Sequence, residues 1–445
     1  MQRTQIFKGS FLLSLLICLF AIGSWIDLNG VWVELPLLVT TLPERWTLPT
    51  IVVTIVQLAN IAPLIYMGLF YIGRFQNMER YTIYVILSIG CVCCGLLAVF
   101  WDYTMKLSIL GKKSEYSVAF FVLVWFLSMI DTTSSVTFLP YLVHYPRYYI
   151  TALYVGEGLS GFFPGILGLI QGVGGEGRCE NITISLNGTQ NYTQQMKYPA
   201  PRISVSSFFV FLCAMLVISL VSFIILDNCK YFHKFRLQNV SKNSKGGSEK
   251  EFLLKETETS IADKMKSSLL GEQPKKSKRK WIIYILLVGY INFLTNGVLP
   301  SIQNYSLMPY SNNLYHIVVS VSQILNPLAC LLTLRSWKIN NIILGAITTV
   351  ASIGAGYVLF LASMSPVPIL NITPFGQILA AFSWFIVSIL FSFEKAVLAI
   401  ELQKQGHVWL QLCGASTQIG SALGAALIFV LVVVINIFKP KPEIC

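Results

Sequence analysis

Asparagine, glutamine, serine and threonine recur in the middle of the most apolar stretches of this chain. Trp25, Asn29 and Trp32 fall in the first such stretch, and Gln57 and Asn60 in the second. Ser134 and Thr137 sit in the fourth, Glu157 and Ser160 in the fifth, Asn292, Thr295 and Asn296 in the seventh, and Tyr315 and Asn326 in the eighth. Amides and hydroxyls of this kind do no covalent chemistry; they donate and accept hydrogen bonds. A wall built from them suits a neutral, polar solute with several hydrogen-bonding groups. Trp25, Trp32, Tyr141, Tyr310 and Tyr315 add faces on which a flat ring can stack. The opposing reading is structural. Gln57, Asn60, Gln323 and Asn326 would tie helices together, and Trp25 and Trp32 would anchor the chain at a lipid–water interface.

Ionisable groups inside these stretches are few. Asp131, Glu157, His316 and Glu394 are candidates for moving a proton, with buried structural acids or an interfacial histidine as the alternative. Glu394 and Lys395 are adjacent, so a helix points them to different faces, and Lys395 reads as a side chain that snorkels inward. The glycines between Gly156 and Gly168 fit close helix packing. No HExxH, GxSxG or Walker sequence is present, so no catalytic residue, metal ligand or cofactor is expected and an enzyme is not.

The elements that position these residues follow from composition. The chain has 445 residues, 55% hydrophobic and 12% charged. A water-soluble protein of that length lacks the charge to cover so much apolar surface. Eleven apolar segments occur, near 8–39, 49–73, 81–101, 117–143, 150–174, 204–226, 281–303, 313–335, 341–363, 373–399 and 409–437. Each is long enough to cross about 30 Å of hydrocarbon as a helix. The expected fold is an all-α polytopic membrane protein, with the lipid bilayer as its solvent.

The net charge of +12 does not point to nucleic acid, because 14 of the 32 lysines and arginines lie in the single segment 227–280. With the N-terminus cytoplasmic, that segment is cytoplasmic, and 22 basic residues lie inside against 9 outside. The same topology puts the Asn-x-Ser/Thr sites at Asn181, Asn187 and Asn191 outside, as glycosylation candidates, and the C-terminus outside. Cys179 and Cys445 then share the oxidising side and form a candidate disulfide.

Segment 227–280 is rich in lysine, serine and glutamate and reads as a disordered basic linker. It divides a six-span half, 1–226, from a five-span half, 281–445. The halves echo each other. Asn29-Gly30-Val31 matches Asn296-Gly297-Val298, Gln57-x-x-Asn60 matches Gln323-x-x-Asn326, and Glu157-x-x-Ser160 aligns with Gln418-x-x-Ser421, at offsets of 267, 266 and 261. Six spans precede the second copy, so both copies run the same way. A pseudo-two-fold axis along the membrane normal follows, with a site between the halves near the midplane.

Several long runs resemble the eukaryotic riboflavin transporter family of solute carriers. They include Gly23-Ser24-Trp25, Asn29 to Pro36, Gln57-Leu58-Ala59-Asn60, Ser134 to Pro140, Gly156 to Gly161, Leu294 to Pro300, Tyr315-His316 and Asn326 to Ala329. The resemblance implies an eleven-span plasma-membrane carrier of facilitator-like, nucleoside-transporter-like architecture that takes up riboflavin without sodium. It implies Trp25, Asn29, Trp32, Thr295 and Asn296 as ligand contacts. The chain departs from the family at Leu307 and Val367, where relatives often carry cysteines, and at Glu394, where they tend to carry an aromatic residue. The alternatives to riboflavin uptake are a carrier of nucleosides or another neutral heterocycle, and a membrane receptor that moves nothing.

Overall fold

The computed structural model describes residues 2–72, 78–109, 112–142, 145, 149–173, 178–186, 189–233, 278–334, 340–371, 373–403, 405 and 407–442. Most of the expected linker, 234–277, lies outside the described residues, as do Asn187 and Cys445.

Ten described helices are long and apolar enough to cross a membrane, and a bent pair makes an eleventh. Span 1 is that pair, Phe11–Ile22 and Ile26–Thr41, meeting at 49°. The others are span 2 (Arg45–Leu69), span 3 (Met78–Phe100), span 4 (Val118–Leu142), span 5 (Thr151–Gln171) and span 6 (Val205–Asn228). After the linker come span 7 (Arg279–Leu307), span 8 (Asn312–Leu331), span 9 (Asn341–Ser363), span 10 (Pro374–Leu402) and span 11 (Leu412–Val434). Helix is the expected outcome, because hydrocarbon offers no partner to an unpaired backbone group. Side-chain caps fix several ends. Ser204 accepts from Ser207 N at 3.1 Å, Ser311 accepts from Leu314 N at 3.0 Å, and the Glu44 carboxylate accepts from both Ser117 N and Ser117 Oγ at 2.8 Å.

The packing of the spans repeats with a shift of six. Span 1 packs on span 5 as span 7 packs on span 11, span 2 on span 4 as 8 on 10, and span 3 on span 4 as 9 on 10. Between the halves, span 5 packs on span 8 and, reciprocally, span 11 on span 2. This is the pseudo-two-fold arrangement expected from the Asn-Gly-Val repeat. Span 6 packs on spans 1 and 3 and has no counterpart, because the second half has five spans.

The two Asn-Gly-Val copies also share a backbone irregularity. Span 1 breaks at Gly23–Trp25, just before Asn29, and span 7 widens into a π-helix at Phe293–Val298, around Asn296. Such interruptions of a membrane helix are tolerated where neighbouring groups satisfy the freed backbone. Glycines let the helices approach closely here. A Cβ on Gly297 would stand 2.7 Å from Gly424 backbone, and one on Gly165 would stand 2.8 Å from the Ser320 carbonyl oxygen of span 8. The packing role expected for the Gly156–Gly168 series holds: Gly156 and Gly165 meet backbone oxygens at these distances or closer.

Two antiparallel hairpins lie outside the bundle, β1 (Met105–Ile109) with β2 (Lys112–Tyr116) and β3 (Arg178–Leu186) with β4 (Thr189–Lys197). Asn181 lies on β3 and Asn191 on β4. Cys179 is disulfide-bonded, and Cys18, Cys91, Cys93, Cys94, Cys213, Cys229, Cys330 and Cys413 are free.

Candidate substrate cavity

Between the two halves lies a cavity of about 490 Å³. That falls within the usual range of small-molecule sites, about 300–1,000 Å³. Repeat-related residues line it from both sides: Asn29 and Asn296, Gln57 and Gln323, Asn60 and Asn326.

Hydrogen bonds within each half hold these amides. Asn29 Nδ2 donates across to Ser160 Oγ of span 5 at 3.2 Å, and Ser160 donates to the Glu157 carbonyl at 2.6 Å. In the second half, Asn296 Nδ2 donates to Ser421 Oγ of span 11 at 3.3 Å and to Asn292 Oδ1 at 3.0 Å. Asn326 Oδ1 accepts from Ser388 and Ser392 of span 10 at 2.7 and 2.8 Å. Asn60 Nδ2 donates to Gln57 Oε1 at 3.1 Å. Each amide keeps further hydrogen-bonding capacity for a guest.

Eight of the fourteen residues expected at the site line the cavity: Trp25, Asn29, Trp32, Gln57, Asn60, Thr295, Asn296 and Asn326. Ser160 and Asn292 stand one layer behind, holding the two asparagines. The other four are absent from its wall. Ser134 and Thr137 turn into the first half, where they donate to the Ser24 and Thr133 carbonyls. Glu157 does not line the cavity, and Tyr315 is fully buried. The cause for the span 4 pair is helix rotation: their neighbours Thr132 and Ser135 face the cavity instead.

None of the groups considered for proton movement lines the cavity either. Asp131 is fully buried with its carboxyl next to that of Asp27 in span 1. His316 is buried, and Glu394 is fully buried and accepts a hydrogen bond from Thr348 of span 9. Two of the five candidate stacking rings face the cavity, Trp25 and Trp32. Tyr141 hydrogen-bonds Asp227 at 3.3 Å, and Tyr310 donates to the Ile369 carbonyl at 2.8 Å.

Trp384, Ser388 and Ser392 of span 10 are on the wall without having been expected there, and Lys395, expected only to snorkel inward, joins them. A signal existed in their spacing. Residues 384, 388, 392 and 395 recur every three or four positions, the stripe that one helix face makes.

One end of the cavity is closed by the halves themselves. Thr50 Oγ1 donates to the Ser301 carbonyl at 3.1 Å, and Asn304 Nδ2 donates to the Trp46 carbonyl at 2.6 Å. The Trp46 and Tyr305 rings pack at 5.4 Å, and Tyr305 packs on Phe438 at 5.6 Å. Trp384 Nε1 donates to Ser306 Oγ at 3.1 Å, so the cavity wall is joined to the closing segment. Asn304 is a sequence match for glycosylation but is fully buried in this closure.

Comparison with known proteins agrees with this architecture. The family described as solute carrier family 52, riboflavin transporter, matches residues 9–440. Riboflavin transporter member 3-A of Danio rerio is 38% identical, covering 97% of each chain. Human members 3 and 2 are 33% and 31% identical, covering 97% and 96% of each chain. Among solved structures, the xylose transporter XylE from E. coli, in a partially occluded inward-open conformation, matches with a TM-score of 0.55 at 13% identity. It covers 94% of this chain and 90% of its own. A bacterial homologue of the lysosomal transporter Spinster matches with a TM-score of 0.53 at 11% identity, covering 94% of this chain and 80% of its own.

Proposed function

The chain belongs to the riboflavin transporter family of solute carriers, and on that premise we propose that it carries riboflavin across the plasma membrane by alternating access. The observation that carries this reading is the cavity between the repeat-related halves, walled by amides, hydroxyls and indoles. Riboflavin pairs a flat ring with an imide edge and a polyhydroxyl chain. Trp25 or Trp32 takes the ring face, Asn29, Asn296, Gln57 and Gln323 take the imide edge, and Ser135, Ser388 and Thr417 reach the ribityl hydroxyls. Discrimination falls on the imide edge, because a buried amide left unmatched is costly.

The basic linker between the halves supports a cytoplasmic N-terminus, and the sequon cluster at 181–193 supports the opposite side for the β3–β4 hairpin. The closure formed by Trp46, Thr50, Ser301 and Asn304 is then extracellular, and the cavity faces the cytoplasm. The two halves rock about the site to open that closure. Uptake needs no sodium.

Purified protein in liposomes tests the reading. Labelled riboflavin accumulates, unlabelled lumiflavin competes, uridine does not, and replacing sodium by choline changes nothing. Uridine accumulation without riboflavin accumulation would identify a nucleoside carrier. Flavin binding with no accumulation of either solute would identify a receptor.

A further inference from the structure

Lys395 is the one ionisable side chain on the cavity wall among the described residues. It forms no ion pair there; its Nζ donates to Thr295 Oγ1 at 3.5 Å, a long contact that leaves most of its donor capacity open. Its neighbour Glu394 is no counter-ion, since it turns away into spans 9 and 10 and accepts from Thr348.

The internal repeat sharpens the point. Glu394-Lys395 in span 10 stands 263 residues after Asp131-Thr132 in span 4, within the spread of the other repeat matches. In both pairs the acid is fully buried within its own half and the next residue lines the cavity. The first half therefore presents Thr132 and the second presents an ammonium. Every other repeat-related pair named on the wall is amide against amide. These three amide pairs by themselves would accept the edge of a flat ligand in two orientations. One cation on one side removes that degeneracy.

We propose that Lys395 is the orienting and specificity-determining group of the cavity, and that it takes one carbonyl oxygen on the pyrimidine edge of the flavin ring, drawing that oxygen toward the second half while the amides of both halves hold the rest of the edge. The inference rests on riboflavin being the substrate. An ammonium favours an electron-rich oxygen over a hydroxyl, and a hydrogen bond to a charged donor outweighs a neutral one. The same charge disfavours cationic heterocycles of similar shape.

The test uses the full-length protein in liposomes, comparing wild type with K395M and K395R at matched amounts of inserted protein. Competitors are riboflavin, 2-thioriboflavin and 4-thioriboflavin, in which sulfur replaces one ring carbonyl oxygen and weakens it as an acceptor. Wild type should prefer riboflavin over one of the two thio analogues about tenfold or more. K395M should flatten that preference to within about twofold and raise the half-saturating riboflavin concentration about tenfold. K395R, which keeps the charge, should retain the preference. Equilibrium riboflavin binding to detergent-solubilised K395M gives the same comparison if that variant inserts poorly. Riboflavin uptake by wild type with an unchanged analogue preference in K395M overturns the inference and leaves the substrate reading intact. Absence of riboflavin uptake and binding in wild type overturns the substrate reading and the flavin contact with it.

Discussion

Asn29 of span 1 donates to Ser160 of span 5 at 3.2 Å, and its repeat mate Asn296 donates to Ser421 at 3.3 Å. Two copies of one device thus hold an amide at opposite walls of one cavity. Ser160→Ala should leave Asn29 in place but unheld, at a cost of about 1 kcal/mol in its positioning. The expected outcome is a several-fold rise in half-saturating riboflavin. Asn29→Ala and Asn296→Ala should each reduce uptake far more at normal surface abundance. Kinetics on surface-biotinylated cells checks this, and a well-expressed Asn296→Ala with normal uptake would remove that residue from the site.

The buried Asp227 carboxylate accepts from Tyr84 at 2.9 Å and Tyr141 at 3.3 Å and pairs with Arg80, joining spans 3, 4 and 6. Asp227→Ala strands these donors, and about 3 kcal/mol of stability should go with them. The melting temperature of the purified protein should drop. The molecules that still fold should bind riboflavin with unchanged affinity, because no atom of this cluster lines the cavity.

Gly297 and Gly345 make a matched pair for the packing argument. A Cβ on Gly297 meets Gly424 backbone at 2.7 Å, whereas one on Gly345 meets nothing within 4 Å. Gly297→Ala should cost about 1–3 kcal/mol through forced backbone displacement. Gly345→Ala should be neutral or slightly stabilising. Thermal melting and surface abundance of the two variants separate the outcomes, and equal behaviour would contradict the close approach of spans 7 and 11.

Topology has its own check. Endoglycosidase treatment should sharpen the protein on a gel through loss of glycans at Asn181, Asn187 and Asn191, while N239Q, at the Asn-Val-Ser of the basic linker, should leave the pattern unchanged. Glycan at Asn239 would invert the orientation. In unreduced digests, the Cys179 peptide should travel with the C-terminal peptide holding Cys445, and C445S should release a free Cys179 thiol.

The number of spans, the repeat and a polar-lined cavity between the halves were legible in the sequence, because polar residues in apolar segments stand out and the repeat fixes which spans correspond. Rotation of each helix was not. In span 4, Ser134 and Thr137 belong to the same polar run as Thr132 and Ser135, and all are three residues from a partner in the run. Only packing against spans 1 and 2 decides which pair faces the cavity. The same ambiguity left Lys395 without an assigned place on the wall. Adjacent to Glu394, it had to lie on a different face, but the face that looks inward was set by the contacts of span 10 with spans 8 and 9. The break in span 1 and the π-turn in span 7 also carried no sequence signature beyond the small residues around them.

The indole of Trp384 touches the guest's compartment on one side and, through Ser306, the segment of span 7 that closes one end of the cavity on the other. Ceiling and plug are therefore parts of a single piece. When that piece swings clear, the berth loses its ceiling, so a vitamin entering through that end is gripped fully only after the hatch has shut behind it.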